Sequence, residues 1–296
     1  MRKILSILAM AAVVLGMASC GGSNEGNEPA SPFVINPNSE NGMMPGAFTV
    51  DAQGTQVRFS QGNLQYNASL KLWRFATNEW DTLGIANKQI GNEDYDGWID
   101  LFGWSTGKNP TLASTEYSDY TEPFKDWGEN AIANGGNQTS QWHTLSKDEW
   151  VYIFHGRDNA EKLFGLGTVA GINGLILLPD DWEMPMSVPG FKPSTTKGMA
   201  WDSEKGRYDN SNEDNFEHNT YTAEQWDVLE KAGAIFLPTA SYRSGKDVDI
   251  LAHEGNYWSS EPRGSAMAFY VYIGASIVNP QSGTNRRCGF SVRLVR

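Results

Sequence analysis

Short runs of alternating apolar and polar residues dominate the chain from Ala47 onward. With turn residues between them, these runs lie at 48–50, 57–59, 73–75, 269–273 and 290–295. Alternation with a period of two is typical of strands that bury one face. The pattern therefore predicts a domain rich in short strands, and we expect 290–295 to be a central or near-central strand.

Two helices are predicted among these strands. The first begins with the capping-box sequence Ser146–Glu149 and ends at Gly156, and the second begins with Thr222–Gln225 and ends at Gly233. In a capping box the first and fourth residues satisfy each other's backbone N–H groups, which fixes the start of a helix. Two main helices among many short strands predict the α+β class.

Polar stretches set the expected domain boundaries. Residues 21–46 are rich in Gly, Asn, Ser, Pro and Glu, a composition that cannot bury enough apolar surface to fold, so 20–46 is interpreted as a flexible tether. A single domain is expected over 47–296. Within it, residues 179–221 are long, polar and irregular, which predicts a surface excursion.

The first residues predict a lipid anchor. Arg2 and Lys3 precede an apolar run at 4–17, and small residues lead into Cys20. A helix over 4–17 spans about 21 Å at ~1.5 Å per residue, short of the ~30 Å hydrocarbon core of a bilayer. Residues 1–19 therefore have the layout of a signal peptide. The sequence around Cys20 resembles a bacterial lipobox, which implies acylation of Cys20 and a lipid bilayer as partner. An ordinary secretory signal is the alternative.

The composition of the chain argues against some classes of function and structure. The formal net charge is −12, with no Lys/Arg cluster, which argues against nucleic-acid binding. Cys288 is the sole cysteine after Cys20, so a disulfide within the mature chain is excluded. Eleven Trp, eleven Tyr and thirteen Phe indicate that stability comes from an aromatic-rich core.

Motifs in the C-terminal half carry a family resemblance. They occur in order at 145–150, 242–243, 257–260, 268–270 and 288–296. The order resembles the formylglycine-generating-enzyme (sulfatase-modifying-factor) branch of C-type-lectin-like domains. It is also similar to the Fibrobacter major paralogous domain, to related Bacteroidetes lipoproteins and to the variable receptors of diversity-generating retroelements. The resemblance covers about 141–296.

The resemblance implies a C-type-lectin-like fold with short twisted antiparallel strands, two main helices and long loops. Enzymes of the family use two cysteines to bind copper, whereas Cys288 stands alone. We therefore expect no enzyme and no cofactor, but a lipoprotein of the bacterial outer membrane that binds an extracellular glycan or protein. Surface display and a periplasmic position both stay open. A degenerate or unrecognised enzyme of this fold and a structural envelope component are the alternatives.

Metal and modification signals are few. The four histidines are scattered, so no metal site is expected from them. A calcium candidate, with oxygen ligands at alternate positions, consists of Asn92, Asp94, Asp96 and Asp100. A turn leading into an aromatic strand is the favoured interpretation, because Gly103 stands where a bidentate Glu belongs. Thr82, in Asp81–Leu83, matches a short O-glycosylation signal of Bacteroidetes proteins.

The ligand is expected on loops between the C-terminal strands, because loops on a rigid scaffold carry binding specificity. Tyr, Arg and carboxamide side chains in these loops suit binding. The candidate contacts are Arg243, Lys246, Asp247, Asn256, Tyr257, Glu261, Arg263, Asn279, Gln281, Asn285 and Arg287. We expect them to form one patch, with Trp258 packed inward beside it. Ordinary solvated loops, or a site on the acidic segment 202–217, are the alternatives.

Overall fold

A computed structural model describes residues 34–210 and 216–296, all of which belong to the unit Phe33–Arg296. The predicted signal peptide, Cys20 and the tether up to residue 33 lie outside the described residues. In the described part no helix is long and apolar enough to cross a membrane.

Many short strands and few helices make the domain α+β. The strands are β1 Phe48–Thr49, β2 Gln56–Val57, β3 Leu64–Asn67, β4 Leu72–Phe75, β5 Trp98–Ile99, β6 His143–Thr144, β7 Phe164–Val169, β8 Ile172–Leu177, β9 Ala200–Asp202, β10 Arg207–Asp209, β11 Thr220–Tyr221, β12 Ile235–Pro238, β13 Tyr242–Ser244, β14 Asp247–Asp249, β15 Gly255–Arg263, β16 Met267–Gly274, β17 Ile277–Asn285, β18 Cys288–Gly289 and β19 Leu294–Val295. The helices are α1 Lys147–Val151, which continues as a π-helical turn Tyr152–Gly156, and α2 Ala223–Lys231; 3₁₀ turns lie at Gly84–Gln89, Tyr117–Asp119, Trp127–Glu129, Ala160–Lys162 and Ser194–Lys197.

Both helices begin where the sequence predicts. At α1 the Glu149 N–H donates to Ser146 Oγ (3.2 Å), and the Ser146 N–H donates to Glu149 Oε2 (2.7 Å). Thr222 and Gln225 make the same exchange at the start of α2. The two predicted capping boxes are confirmed.

The largest sheet has the strand order β15-β16-β17-β10-β9 and is antiparallel throughout. Apolar clusters cover both of its faces. Tyr257, Val271 and Val278 belong to a cluster on one face, whereas Trp258 and Ala268 belong to a second cluster on the other. Successive strand residues point to opposite faces. Where both faces are covered, two consecutive residues such as Tyr257 and Trp258 are therefore both buried.

Smaller sheets surround this one. They have the orders β11-β7-β8-β12, β14-β13-β18, β4-β3-β5, β1-β2 and β19-β6. A third apolar cluster holds Trp226 and Leu229 of α2 against Ile176 and Phe236. A fully buried ion pair, Arg293 with Glu79, connects these layers. Glu79 Oε2 also accepts hydrogen bonds from Trp226 Nε1 (3.0 Å) and from the Phe236 N–H (2.9 Å).

Part of the predicted surface excursion belongs to the main sheet. Within 179–221, β9 and β10 form a hairpin that pairs with β17 through Tyr208↔Val278 and Asp209↔Ile277. Tyr208 is buried, and its hydroxyl donates to the Phe154 carbonyl (3.0 Å). The prediction was wrong here because Tyr208 and Trp201 pack against the main core cluster and hold a hairpin whose remaining residues are mostly polar.

The segment 290–295 is buried but is not a central strand. Only Leu294–Val295 pairs, with His143–Thr144, while Phe290 and Ser291 make isolated bridges. The chain then runs beside the start of the domain, where Arg58 and Arg296 exchange two backbone hydrogen bonds of 2.9 Å. The side chains of this segment pack in two directions along an irregular path. Its alternating sequence is the same as that of a strand, and the prediction was therefore wrong.

Ordered packing begins earlier than residue 47. Asn36 Nδ2 donates to Glu230 Oε1 (3.0 Å), and Asn38 Nδ2 donates to Glu230 Oε2 (2.6 Å). Met44 is fully buried. Residues 36–44, assigned to the tether by composition, therefore dock on α2 and the core through asparagine side chains, a contact that a count of apolar residues does not detect.

Candidate functional site

A cleft of about 250 Å³ opens between one face of strands β15–β17 and the strand pair β13–β18. We name it the tyrosine cleft. It is lined by Tyr242, Glu254, Asn256, Tyr270, Tyr272, Thr284, Cys288 and Phe290. Apart from Asn256 and Phe290, these residues are only half-buried, so their side chains are within reach of a ligand from solvent.

Strand alternation places the tyrosines. In β16, Val271 and Ile273 point into the core, so Tyr270 and Tyr272 leave the opposite face together. Tyr272 pairs with Asn256 on one side and Asn279 on the other, so polar neighbours flank it across the sheet.

The far wall is held by a buried arginine. Tyr242 of β13 faces the cleft, and the next residue, Arg243, is fully buried. Its guanidinium donates to the carbonyls of Leu101 (2.7 Å), Gly245 (2.9 Å) and Leu112 (3.3 Å). Gly289 is required beside it, because a Cβ there would lie 2.1 Å from the Arg243 side chain. Arg243 therefore positions the wall from behind.

Phe290 forms the floor of the cleft and is 4% exposed. Its ring centroid lies 4.7 Å from that of Tyr270 and 4.6 Å from that of Trp258, while Tyr242 meets it edge-on at 6.5 Å. Packed aromatic side chains of this kind offer a ligand rigid contact area at low entropic cost.

The phenols of the cleft stay protonated at neutral pH. Burial, reinforced by the Glu254 carboxylate, raises the pKa of Tyr272 to about 12. Burial also raises the pKa of Tyr270. A hydrogen bond from the Tyr242 hydroxyl to Asp249 Oδ2 (3.0 Å) raises the pKa of Tyr242. The three hydroxyls thus keep their protons, and that of Tyr242 is donated to Asp249.

Cys288 is the single cysteine in the part of the chain that the structure describes. It is half-buried in the wall of the cleft, and its Sγ lies 3.7 Å from Thr284 Oγ1. No second thiol stands beside it among the described residues, and Cys288 contributes a small polarizable surface to the cleft.

Three predicted ligand contacts are buried. Tyr257 points into the core, where its hydroxyl donates to the Pro238 carbonyl (2.7 Å). Arg243 lies behind the cleft, as described above. Asn256 is 3% exposed but lines the cleft. The prediction of Tyr257 and Arg243 as ligand contacts is wrong, because each side chain leaves its strand on the buried face, opposite the neighbour that lines the cleft.

The other predicted contacts do not form one patch. Lys246, Asp247 and Arg263 are exposed, while Glu261, Asn279, Gln281, Asn285 and Arg287 are half-buried. Arg263 lies over the Phe269 ring, 5.4 Å from its centroid, on the opposite face of β16 from Tyr270. Gln281 Nε2 donates to the Gly206 carbonyl (2.8 Å), and Arg287 Nη1 donates to the Thr115 carbonyl (2.7 Å).

The calcium candidate is not assembled. Asp100 is fully buried and accepts hydrogen bonds from Asn87 Nδ2 (2.7 Å) and the Leu83 N–H (3.0 Å). Asn92 Oδ1 accepts from the Asp94 N–H (3.2 Å) in a local turn. Across residues 34–210 and 216–296, no group of three His, Cys, Asp or Glu side chains could hold a metal ion.

Thr82 lies at a separate place. It is half-buried and lines a cavity of about 190 Å³ whose other walls include Ile172 and Ile250. The structure thus leaves its modification as a sequence-based prediction.

Sequence reasoning missed most of the cleft. Of the lining residues only Asn256 was among the predicted contacts; the sequence analysis did not include Tyr242, Glu254, Tyr270, Tyr272, Thr284, Cys288 and Phe290. A signal was present in 269–273, where tyrosine alternates with valine and isoleucine. A strand with aliphatic residues on one face and tyrosines on the other has a core face and a contact face.

Searches against protein-family models, curated proteins and solved structures find no match.

Proposed function

We propose that this chain is a non-catalytic lipoprotein of the bacterial outer membrane that binds an extracellular ligand, a glycan or a protein, in the tyrosine cleft. The observation that carries the proposal is the grouping of three half-buried tyrosines, a phenylalanine floor and a carboxylate in one open cleft. Such a cleft supplies rigid aromatic contact and polar hydroxyl groups together, the chemistry of binding surfaces.

We also propose that the domain is C-type-lectin-like and related to the receptors and lipoproteins that its motifs resemble. Two capped helices and a three-stranded antiparallel meander β15–β17 support the proposal. The binding role comes from the cleft, and the fold supplies its scaffold.

Lipid anchoring at Cys20 is part of the proposal and has its own test. Cells expressing the full chain are grown with labelled palmitate, and we expect the label in this protein. A Cys20→Ala variant should lose the label, while a Cys288→Ala variant should keep it. Incorporation of label into Cys20→Ala would refute the anchor.

Ligand binding is tested with the full chain in detergent against glycan arrays and extracellular proteins. For each ligand found, the double variant Tyr270→Ala/Tyr272→Ala should bind at least tenfold more weakly, about 1.4 kcal/mol. The control is Tyr152→Ala, another half-buried tyrosine, which lines a different cavity. Unchanged affinity in the double variant would place the site elsewhere, and the absence of any ligand would favour a structural envelope component.

A further inference from the structure

The ionisable groups around the tyrosine cleft are unbalanced. Among its lining residues in the described part of the chain, Glu254 is a carboxylate and none is a lysine or arginine. Asp249 lies just beyond the lining, hydrogen-bonded to the Tyr242 hydroxyl at 3.0 Å. Glu254 also contributes to the raised pKa values of Tyr242, Tyr270 and Tyr272. The charged side chain that lines the cleft in the described residues is therefore an anion, with a second carboxylate beside it.

The neighbouring arginines direct their guanidinium groups away from the cleft. Arg243 follows Tyr242 in β13 but leaves the strand on the opposite face, where three backbone carbonyls accept from its guanidinium. Arg287, which precedes Cys288, directs Nη1 to the carbonyl of Thr115. Both cations are engaged outside the cleft.

Aromatic ring faces attract cations because their π-electrons carry negative charge. Three tyrosines and Phe290 surround this space, and a carboxylate stands beside them. The volume of about 250 Å³ is below the ~300–1,000 Å³ typical of pockets for drug-sized ligands. It suits a compact head group better than a whole sugar chain.

We propose that the tyrosine cleft selects an organic cation, an ammonium or guanidinium group, which the tyrosine rings surround and Glu254 pairs with. This inference rests on the proposed function and narrows its ligand chemistry. The cation is supplied either by a free small amine or by a lysine or arginine side chain of a protein, and the same site chemistry serves both.

Cys288 provides a readout of occupancy. It lines the cleft, so a bound ligand should slow its alkylation by the neutral reagent iodoacetamide in the full chain. The extent of alkylation is measured by mass spectrometry on the peptide that contains Cys288. Choline is compared with its uncharged carbon analogue 3,3-dimethylbutan-1-ol, and N-acetyl-arginine amide with N-acetyl-citrulline amide.

We expect the cations to protect Cys288 at concentrations at least tenfold lower than their neutral counterparts. Glu254→Gln, which keeps the shape of the side chain, should reduce that preference to below threefold. Asp148→Asn, which removes an exposed carboxylate from α1 (78% side-chain exposure), should leave it unchanged. Protection by choline identifies a free amine as a competent source, and protection confined to the arginine amide identifies a protein side chain.

Equal protection by charged and neutral compounds would overturn the cation selectivity and leave the cleft as a binding site. Absence of protection by all four compounds would overturn it as well. The proposed function is decided separately, by the ligand screen with the Tyr270→Ala/Tyr272→Ala variant, so the two failures are distinguishable.

Discussion

Replacing Glu79 by glutamine is expected to be among the most destabilising isosteric changes in this domain. Glu79 and Arg293 have no exposed side-chain surface, and their contact joins residues 214 positions apart in sequence. Glutamine keeps an acceptor for Trp226 Nε1 and the Phe236 N–H but removes the negative charge. Arg293 then stays buried without a counter-charge.

The magnitude follows from the surroundings of Arg293. Within the described part of the chain its Nε and Nη1 have no hydrogen-bond partner, so Glu79 supplies its main compensation. An arginine cannot shed its proton inside a protein. Breaking a buried pair of this kind costs about 3–5 kcal/mol, a large share of the ~5–15 kcal/mol that stabilises a typical domain.

The opposite substitution behaves differently because a carboxyl can become neutral. Burial raises the pKa of Glu79, and the guanidinium of Arg293 opposes that shift. In Arg293→Met no guanidinium opposes the effect of burial on the pKa of Glu79, so Glu79 should take up a proton in the native state. A carboxyl whose pKa is higher in the native state than in the unfolded state stabilises the fold at pH values below its unfolded pKa of about 4.3. Above that pH, this stabilisation is lost at about 1.4 kcal/mol per pH unit. Arg293→Met should therefore lose stability steadily as the pH rises from about 4.3.

Urea denaturation followed by tryptophan fluorescence measures these changes. At pH 7 we expect Glu79→Gln to lower the free energy of unfolding by about 3–5 kcal/mol. The double variant Glu79→Gln/Arg293→Met should lose less than the sum of the single variants, because it leaves no unpaired charge. A loss below about 1 kcal/mol in Glu79→Gln, or strict additivity in the double variant, would refute the assignment of Glu79 as the counter-charge of Arg293.

Three further predictions concern separate parts of the fold. Thr222→Ala removes the acceptor of the α2 capping box and should lower the free energy of unfolding by about 1 kcal/mol, measured by urea denaturation. Burial raises the pKa of Asp100 to about 6, so wild-type protein should lose about 2 kcal/mol relative to Asp100→Asn as the pH rises from about 4 to about 6, and parallel stability curves would contradict this. Deletion of 290–296 removes buried Phe290 and Arg293 and should abolish cooperative thermal unfolding; a cooperative melt would show that the segment is dispensable.

The sequence predicted those elements whose signal is local. A capping box is complete within four residues, so the starts of both helices could be located without knowledge of the fold. The strand 269–273 was also predicted correctly in place, and the structure extends it to Met267–Gly274. Tertiary packing adds residues at strand ends but does not move the centre of a strongly alternating run.

The cleft could be predicted only in part because burial depends on what covers each face of a strand. Trp258 was expected to pack inward with its neighbours exposed, yet Tyr257 on the other face is equally buried. Alternation distinguishes two faces but does not say that one of them meets water. Arg243 was wrongly predicted to be an exposed contact because arginine is rarely buried. The three backbone carbonyls that accept hydrogen bonds from its guanidinium are visible only in the structure.

The pairing of Arg58 with Arg296 has a consequence for how the protein is made. Because the first strands of the domain close against its last residues, the core lacks one side until 290–296 have been synthesised. Contacts of such long sequence separation form late and slowly. We therefore expect the nascent chain to stay open on this side during translation, so that the domain completes its core only when residues 290–296 can close against Arg58.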